Sequence, residues 1–189
     1  MPCLLKSNSL GRALATLLLV LAVAAPARGE GLEVKSAELE PAGESYLLRA
    51  DLDINLTPPV EDALNKGVPL NFVADFELKR PRWYWLDEVL ASAQQTIRLS
   101  YHALTRQYEL KVNSQHKTFA TFAEAKQELV QLRDWKVAER GLLKKRQTYV
   151  AALRLRLDTS LLPKPLQVNA LTSKDWSLDS EWHYWNVTP

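Results

Sequence analysis

The sequence contains very little sulfur. Among its 189 residues, Cys3 is the only cysteine and Met1 the only methionine. Both lie in a predicted secretion signal, so the predicted mature chain has no thiol, which excludes disulfides, thiolate nucleophiles and Cys-ligated zinc. A chain without such cross-links depends on its core, and about 160 residues suffice, since a domain of that size buries roughly 70% of its surface.

Glycine is also scarce, and the six glycines never cluster into a phosphate-binding loop. The motifs Gly-x-Ser-x-Gly, His-Glu-x-x-His and Gly-x-Gly-x-x-Gly are all missing. The histidines His102, His116 and His183 could share a metal only if strand pairing brought two of them together, and zinc prefers three or four ligands. We therefore predict no catalytic residue, no metal site and no cofactor.

A signal peptide is predicted at 1–27. Lys6 and Arg12 precede an uncharged apolar stretch at 13–25, which is shorter than the roughly 20 residues of a membrane-spanning helix. Ala25 and Ala27 are small residues at the positions that signal peptidase recognises. Cleavage after Ala27 would give a periplasmic or secreted protein with no stable membrane span. The alternative is an uncleaved segment that anchors the chain to the inner membrane.

The charge balance argues against nucleic acid as a partner. The 24 lysines and arginines of the whole chain fall to 22 when Lys6 and Arg12 are removed, which equals the 22 aspartates and glutamates. Nucleic-acid-binding proteins need a basic surface, so a neutral mature chain is not expected to bind nucleic acid. Its length predicts a single β-rich domain over 28–189.

Alternation of apolar and polar residues is the clearest structural signal, and it predicts strands. Every second residue of 46–56 is apolar, and the same pattern recurs in 68–79 and 149–157. Pro81 ends the second of these strands, since proline cannot continue a hydrogen-bonded ladder. Weaker patterns predict strands at 32–40, 97–103, 108–112, 136–142, 166–171 and 180–185.

Two helices are predicted between these strands. A short helix follows Thr57 and ends before Gly67. A second helix begins at a capping box formed by Thr121 and Glu124 and continues for about four amphipathic turns, through Leu132. Hairpin-linked strands with few helices indicate a mainly β (α+β) fold, an antiparallel β-sandwich-like or curled sheet with one packed amphipathic helix and one short helix.

Two tryptophan-rich clusters form the candidate site, an aromatic and basic surface. Its residues are Arg80, Arg82, Trp83, Trp85, Trp182 and Trp185. One hypothesis is an exposed platform, where tryptophan faces stack on a sugar or where Arg80 and Arg82 make cation–π contacts. The other, which we favour, is that both clusters cap one end of the core and that their indole N–H groups reach backbone carbonyls.

The segments 72–78, 82–85 and 99–108, together with Trp176 and 180–182, resemble an uncharacterised family of exported proteobacterial proteins, the domain of unknown function 4390. The resemblance covers essentially the whole predicted mature chain and supplies no activity, cofactor or catalytic residue. Members of this family are often encoded beside a membrane sensor kinase of the nitrogen-regulation type. The resemblance therefore implies a periplasmic accessory role.

Two functions from different classes follow. The first is a non-catalytic interaction or accessory module whose partner is an envelope or inner-membrane protein, bound through a sheet edge or an aromatic rim. The alternative is a hydrolase or binding protein that acts on an envelope carbohydrate with paired carboxylates such as Asp51 and Asp53, about 7 Å apart on one strand face. A cleft with facing carboxylates beside Trp83 or Trp182 would favour this alternative.

Overall fold

The computed structural model describes residues 31–84 and 86–189; the predicted signal peptide at 1–27 and Trp85 lie outside these ranges. The strands are β1 (Gly31–Ala42), β2 (Ser45–Asn55), β3 (Leu70–Arg80), β4 (Glu88–His102), β5 (Gln107–Val112), β6 (Gln115–Phe119), β7 (Gln131–Glu139), β8 (Tyr149–Leu157) and β9 (His183–Val187). The α-helices are α1 (Pro58–Asn65), α2 (Phe122–Leu129) and α3 (Lys164–Thr172).

These strands form two antiparallel sheets that face each other. The smaller sheet has the order β1-β2-β7 and the larger has the order β6-β5-β4-β3-β8-β9. β1 lies against β8 and β9, and β7 lies against β4. Both orders run from one edge strand to another, so the sheets are open. The predicted mainly β, sandwich-like fold is confirmed.

The core lies between the two sheets. Alternation turns one face of each central strand inward, and Leu48 of β2, Phe76 of β3 and Leu153 of β8 are at most 1% exposed. The Phe76 ring lies 6.4 Å from the Trp135 ring on β7 and 6.3 Å from the Trp185 ring on β9. Phe76 therefore joins the larger sheet to the smaller one.

The predicted capping box begins α2. The Glu124 N–H donates to Thr121 Oγ1 at 3.3 Å, and the Ala120 N–H donates to Glu124 Oε2 at 3.1 Å. The predicted length is wrong, because α2 has eight residues and Leu132 belongs to β7. Leu132 fits a helical and a strand pattern equally well, and its pairing with Ala50 of β2 selects the strand.

The segment predicted as a strand at 166–171 is helical and belongs to α3. A proline stands at the start of this helix, where its fixed φ favours helix initiation. Leu166 and Ala170, four residues apart, pack against the core, while Val168 and Leu171 are exposed. β9 pairs with β8.

β4 is much longer than predicted, since it begins at Glu88 and pairs with β3 from there. The residues 81–84, 86 and 87 consequently lie at the tip of a long β3–β4 hairpin, and we call them the hairpin tip. β7 covers Gln131–Glu139 in place of the predicted 136–142. Within 31–84 and 86–189, no helix is both long and apolar enough to cross a membrane.

Candidate functional site

The hairpin tip exposes three large apolar side chains. Trp83 is 95% exposed, Leu86 81% and Tyr84 66%, and the Trp83 and Tyr84 rings meet edge to face at 5.3 Å. The expectation that Trp83 caps the core is wrong. The chain leaves the sheet at Pro81, which cannot donate to a ladder, so Trp83 lies beyond the last paired residue.

Arg80 and Arg82 hold the base of the hairpin tip. Both guanidinium groups bind the Glu88 carboxylate, with Arg82 Nη2 at 2.6 Å from Oε2, and the Arg82 N–H donates to Asp87 Oδ1 at 3.4 Å. Hydrogen bonds from Arg82 and Arg80 hold the pKa of Glu88 below its usual range. These contacts join the two ends of the hairpin tip. Trp85 lies outside the described residues.

The second aromatic cluster is divided between the two faces of the larger sheet. Trp182 and Tyr184 lie on the outer face with ring centroids 6.5 Å apart, and the Arg154 guanidinium lies 4.7 Å over the Trp182 ring. The cation in this contact is Arg154, whereas the cation–π hypothesis concerned Arg80 and Arg82. Trp185 turns inward, where its ring contacts Phe76 and its Nε1 is buried without an acceptor among the described residues.

The two aromatic clusters lie at different positions along the strands of the larger sheet. His183 pairs with Leu153, which in turn pairs with Phe76, so Trp182 is about level with Asp75. The hairpin tip begins beyond Arg80, five residues further along β3, which corresponds to about 16 Å. The expectation that both clusters cap one end of the core is therefore wrong.

Asp75 forms a charged cluster beside Trp182 that the sequence did not reveal. Its carboxylate accepts hydrogen bonds from Gln94 Nε2 at 2.7 Å, from Arg154 Nη2 at 3.0 Å and from Arg156 Nε at 3.0 Å. Burial alone would raise the pKa of Asp75, but these hydrogen bonds outweigh it and lower the pKa. The cluster holds Arg154 against the face of the Trp182 ring.

Strand pairing does bring two histidines together. His102 Nε2 and His116 Nδ1 lie 2.8 and 2.9 Å from the two carboxylate oxygens of Glu109, and hydrogen bonds from His102 and His116 lower the pKa of Glu109. Across 31–84 and 86–189, no group of three or more His, Cys, Asp or Glu residues is arranged to hold a metal ion.

A cleft of about 470 Å³ lies beside Trp182, where β1 and β2 approach the start of β9. Its carboxylates are Glu33, Asp53 and Glu181. Lys35 Nζ lies 2.8 Å from Asp53 Oδ2, and this hydrogen bond lowers the pKa of Asp53. A glycosidase proton donor needs a raised pKa, so Asp53 is not suited to that role.

Asp51, the other member of the predicted carboxylate pair, has a different environment. Arg133 Nη2 lies 2.6 Å from Asp51 Oδ1, and the hydrogen bond from Arg133 lowers the pKa of Asp51. Asp51 lines a separate shallow groove with Ser36 and Arg49. Asp51 and Asp53 therefore do not face each other across one cleft.

Comparison with known protein families gives a match. A family described as Domain of unknown function (DUF4390) matches residues 29–186. No curated protein and no solved structure matches the chain.

Proposed function

This chain belongs to the DUF4390 family, whose function is unknown, and we propose that it is an exported, non-catalytic interaction module that binds an envelope or inner-membrane protein through its hairpin tip. Export rests on the signal-like segment at 1–27, which would leave the folded domain in the periplasm. A membrane sensor kinase is the partner that the family resemblance suggests.

The observation that carries this proposal is the exposure of Trp83. The ring is 95% exposed, and its neighbours Tyr84 and Leu86 are also exposed. Single exposed apolar residues are common on protein surfaces, but contiguous apolar patches often mark interaction sites. Trp and Tyr are enriched among the residues that dominate binding energies in protein interfaces.

The electrostatics of the hairpin tip favour a protein partner over a lipid surface. Attraction to anionic headgroups depends on basic side chains near the membrane. Arg80 and Arg82 both bind Glu88, and Asp87 adds a second carboxylate to the tip. The tip therefore presents aromatic rings on a base whose charges are balanced, which suits a hydrophobic pocket on a protein.

Site-specific photo-crosslinking tests this proposal. We expect a photoreactive residue at position 83 or 86 to capture one envelope protein in intact cells. The matched control is position 104, because Leu104 is also a fully exposed leucine at a hairpin turn, that of β4 and β5. Capture at position 104 alone, or no capture at 83 and 86 under varied growth conditions, would contradict the proposal.

Affinity for the captured partner gives a quantitative prediction. We expect Trp83→Ala to weaken binding about 30-fold, which is about 2 kcal/mol and typical of an interface hot spot. The variant should retain its stability within about 0.5 kcal/mol, because the ring contacts little of the folded protein. Isothermal titration calorimetry with the purified partner measures the affinity, and Leu104→Ala should bind like the unmodified chain.

A second candidate function is binding or hydrolysis of an envelope carbohydrate. The cleft of Glu33, Asp53 and Glu181 beside Trp182 favours it, because aromatic rings stack on sugars and carboxylates bind their hydroxyl groups. Under this function Trp182→Ala should abolish binding of peptidoglycan fragments, whereas Trp83→Ala should bind them normally. Absence of fragment binding to the unmodified chain would exclude this candidate.

A further inference from the structure

The first half of β4 has a neighbouring strand on one side only. β4 pairs with β3 from Glu88 onward, whereas β5 pairs with β4 only from Ile97 onward. Among the described residues, no backbone–backbone hydrogen bond joins 88–96 to an element other than β3. The ladder with β3 is regular over 91–96. These six residues therefore form a free edge within the larger sheet, which we call the β4 edge.

The hydrogen bonds of the neighbouring strands show which residues of the β4 edge face outward. The Leu155 N–H on β8 donates away from β3, to Ser180 Oγ at 3.0 Å. Leu155 pairs with Ala74 of β3, which pairs in turn with Gln95. Because backbone groups alternate between the two sides of an antiparallel strand, Ala74 and Gln95 bond to each other. The residues whose backbone groups face outward are Ser92, Gln94 and Thr96.

The β4 edge lacks the features that protect most sheet edges. Exposed edges usually carry lysine or other charged side chains, proline, or bulges, which prevent pairing with another chain. The stretch 89–97 contains no charged residue and no proline. By contrast, the edge strands β1, β6 and β7 each contain a lysine, and β9 has only five residues. The β4 edge is therefore the one best suited to accept a further strand.

The β4 edge lies close to the hairpin tip and has space beside it. Ala91 follows Asp87 by four residues, which corresponds to about 13 Å along the strand. β7 of the smaller sheet contacts β4 without pairing with it, and a groove of about 600 Å³ lies between β7 and Gln95. A protein held at the hairpin tip could therefore place an adjoining segment along the β4 edge.

We propose that the β4 edge binds an extended segment of the same partner protein that the hairpin tip contacts, and that this segment adds a strand to the larger sheet. Backbone hydrogen bonds provide most of the affinity in such strand addition. Ala91 and Ala93 pack against the core, whereas Ser92 and Gln94 are exposed. The added strand should therefore alternate apolar residues toward the core with polar residues toward water. This inference rests on the proposed function and specifies the chemistry of the partner.

A second copy of this chain suits the β4 edge less than a single segment does. Antiparallel pairing of two complete β4 edges would place residues 97–102 of one copy beside the hairpin tip of the other. β5 already lies along 97–102 on that side, so it would collide with the tip. A single segment has no flanking strand, and six residues are a typical strand length.

Amide hydrogen exchange of the unmodified chain, followed by NMR, tests the edge without a partner. We expect the outward amides of Ser92, Gln94 and Thr96 to exchange about 100-fold faster than those of Ala93 and Gln95, which bond to β3. Equal protection of both sets would show that the edge is already occupied within the fold, and it would overturn the inference.

Photo-crosslinking in intact cells tests the occupant. We expect a photoreactive residue at position 92 to capture the same protein as one at position 83, through a segment that mass spectrometry can map. Position 98 is the matched control, because Arg98 is exposed on the same face of β4 but β5 covers its edge. Capture at 83 without capture at 92 overturns this inference alone, whereas no capture at either position also contradicts the proposed function.

A matched pair of variants assigns the backbone contact, with a synthetic peptide of the mapped segment as the probe. Ser92→Pro removes one outward N–H and leaves the ladder with β3 intact, so it should weaken peptide binding at least about tenfold. Ser92→Thr keeps that N–H and should bind within about twofold. Equal binding by Ser92→Pro would overturn the inference. So would a dimer of the unmodified chain that Ser92→Pro dissociates in analytical ultracentrifugation, since a second copy would then occupy the edge.

Discussion

Replacing Phe76 by alanine should lower the free energy of unfolding by about 3–5 kcal/mol. The ring is 1% exposed and contacts Trp135 of one sheet and Trp185 of the other. Alanine therefore leaves a cavity at the point where the two sheets meet. Because domains of this size are stable by only about 5–15 kcal/mol, the loss removes a large share of the total stability.

Urea denaturation followed by far-UV circular dichroism measures this loss. Tryptophan fluorescence alone is unsuitable, because Phe76 contacts two of the indoles. Phe76→Leu keeps most of the buried volume and should lose less than about 1.5 kcal/mol, and Tyr84→Ala, on the exposed hairpin tip, should change stability by less than about 0.5 kcal/mol. A loss below about 1 kcal/mol for Phe76→Ala would contradict packing of the sheets through this ring.

The alternation of apolar and polar residues predicted the strands that turn one face to the core. β2, β3 and β8 each place one face in the core, so their inward residues, such as Leu48, Phe76 and Leu153, could be read from period two alone. The capping box at Thr121 and Glu124 was predictable for a similar reason. Its hydrogen bonds join residues that are close in sequence.

Prediction failed where the local pattern was ambiguous. The first half of β4 is rich in alanine, serine and glutamine, which have little strand propensity, and only its pairing with β3 makes it a strand. In α3 the apolar residues Leu166 and Ala170 fit an alternating pattern as well as a helical one. The sequence did not predict that Trp83 is exposed, because tryptophan occurs both in protein cores and in protein interfaces.

The polar sites depend on strand order, which no local pattern contains. Asp75 alternates correctly as an outward residue of β3, but its clustering with Arg154 and Arg156 requires β8 to lie beside β3. The contact of His102 and His116 with Glu109 likewise requires β5 to lie between β4 and β6. Sequence separations of 79 and 81 residues divide Asp75 from the two arginines, so the register alone reveals these sites.

The Asp75 cluster should make a large and pH-dependent contribution to stability. In the intact protein the Asp75 side chain is 17% exposed, and its carboxylate is shared by Arg154 and Arg156. Asp75→Ala leaves both arginines without this carboxylate. Removing one partner of a buried ion pair costs about 3–5 kcal/mol. Because each arginine is about one-third exposed, water compensates in part, and we expect a loss of about 2–3 kcal/mol at pH 7.

The dependence of this stability loss on pH tests whether the charge of Asp75 is its cause. The pKa of Asp75 is lowered in the folded state, so its contribution is complete above the unfolded pKa of about 3.9 and disappears as the pH falls through the lower folded value. The difference in unfolding free energy between the unmodified chain and Asp75→Ala should therefore be constant from pH 7 to pH 5 and shrink below pH 4.

Asp62→Ala is the matched control for this series. Asp62 pairs with Lys66 at 2.6 Å on the exposed face of α1, where both side chains are more than 60% exposed. Such surface pairs contribute less than about 1 kcal/mol, so this variant should remain near the unmodified chain at every pH. A difference for Asp75→Ala that is as large at pH 3 as at pH 7 would attribute the loss to packing. A loss that declines with acid would show that Asp75 stabilises the sheet as a carboxylate, by neutralising the arginine that supports Trp182.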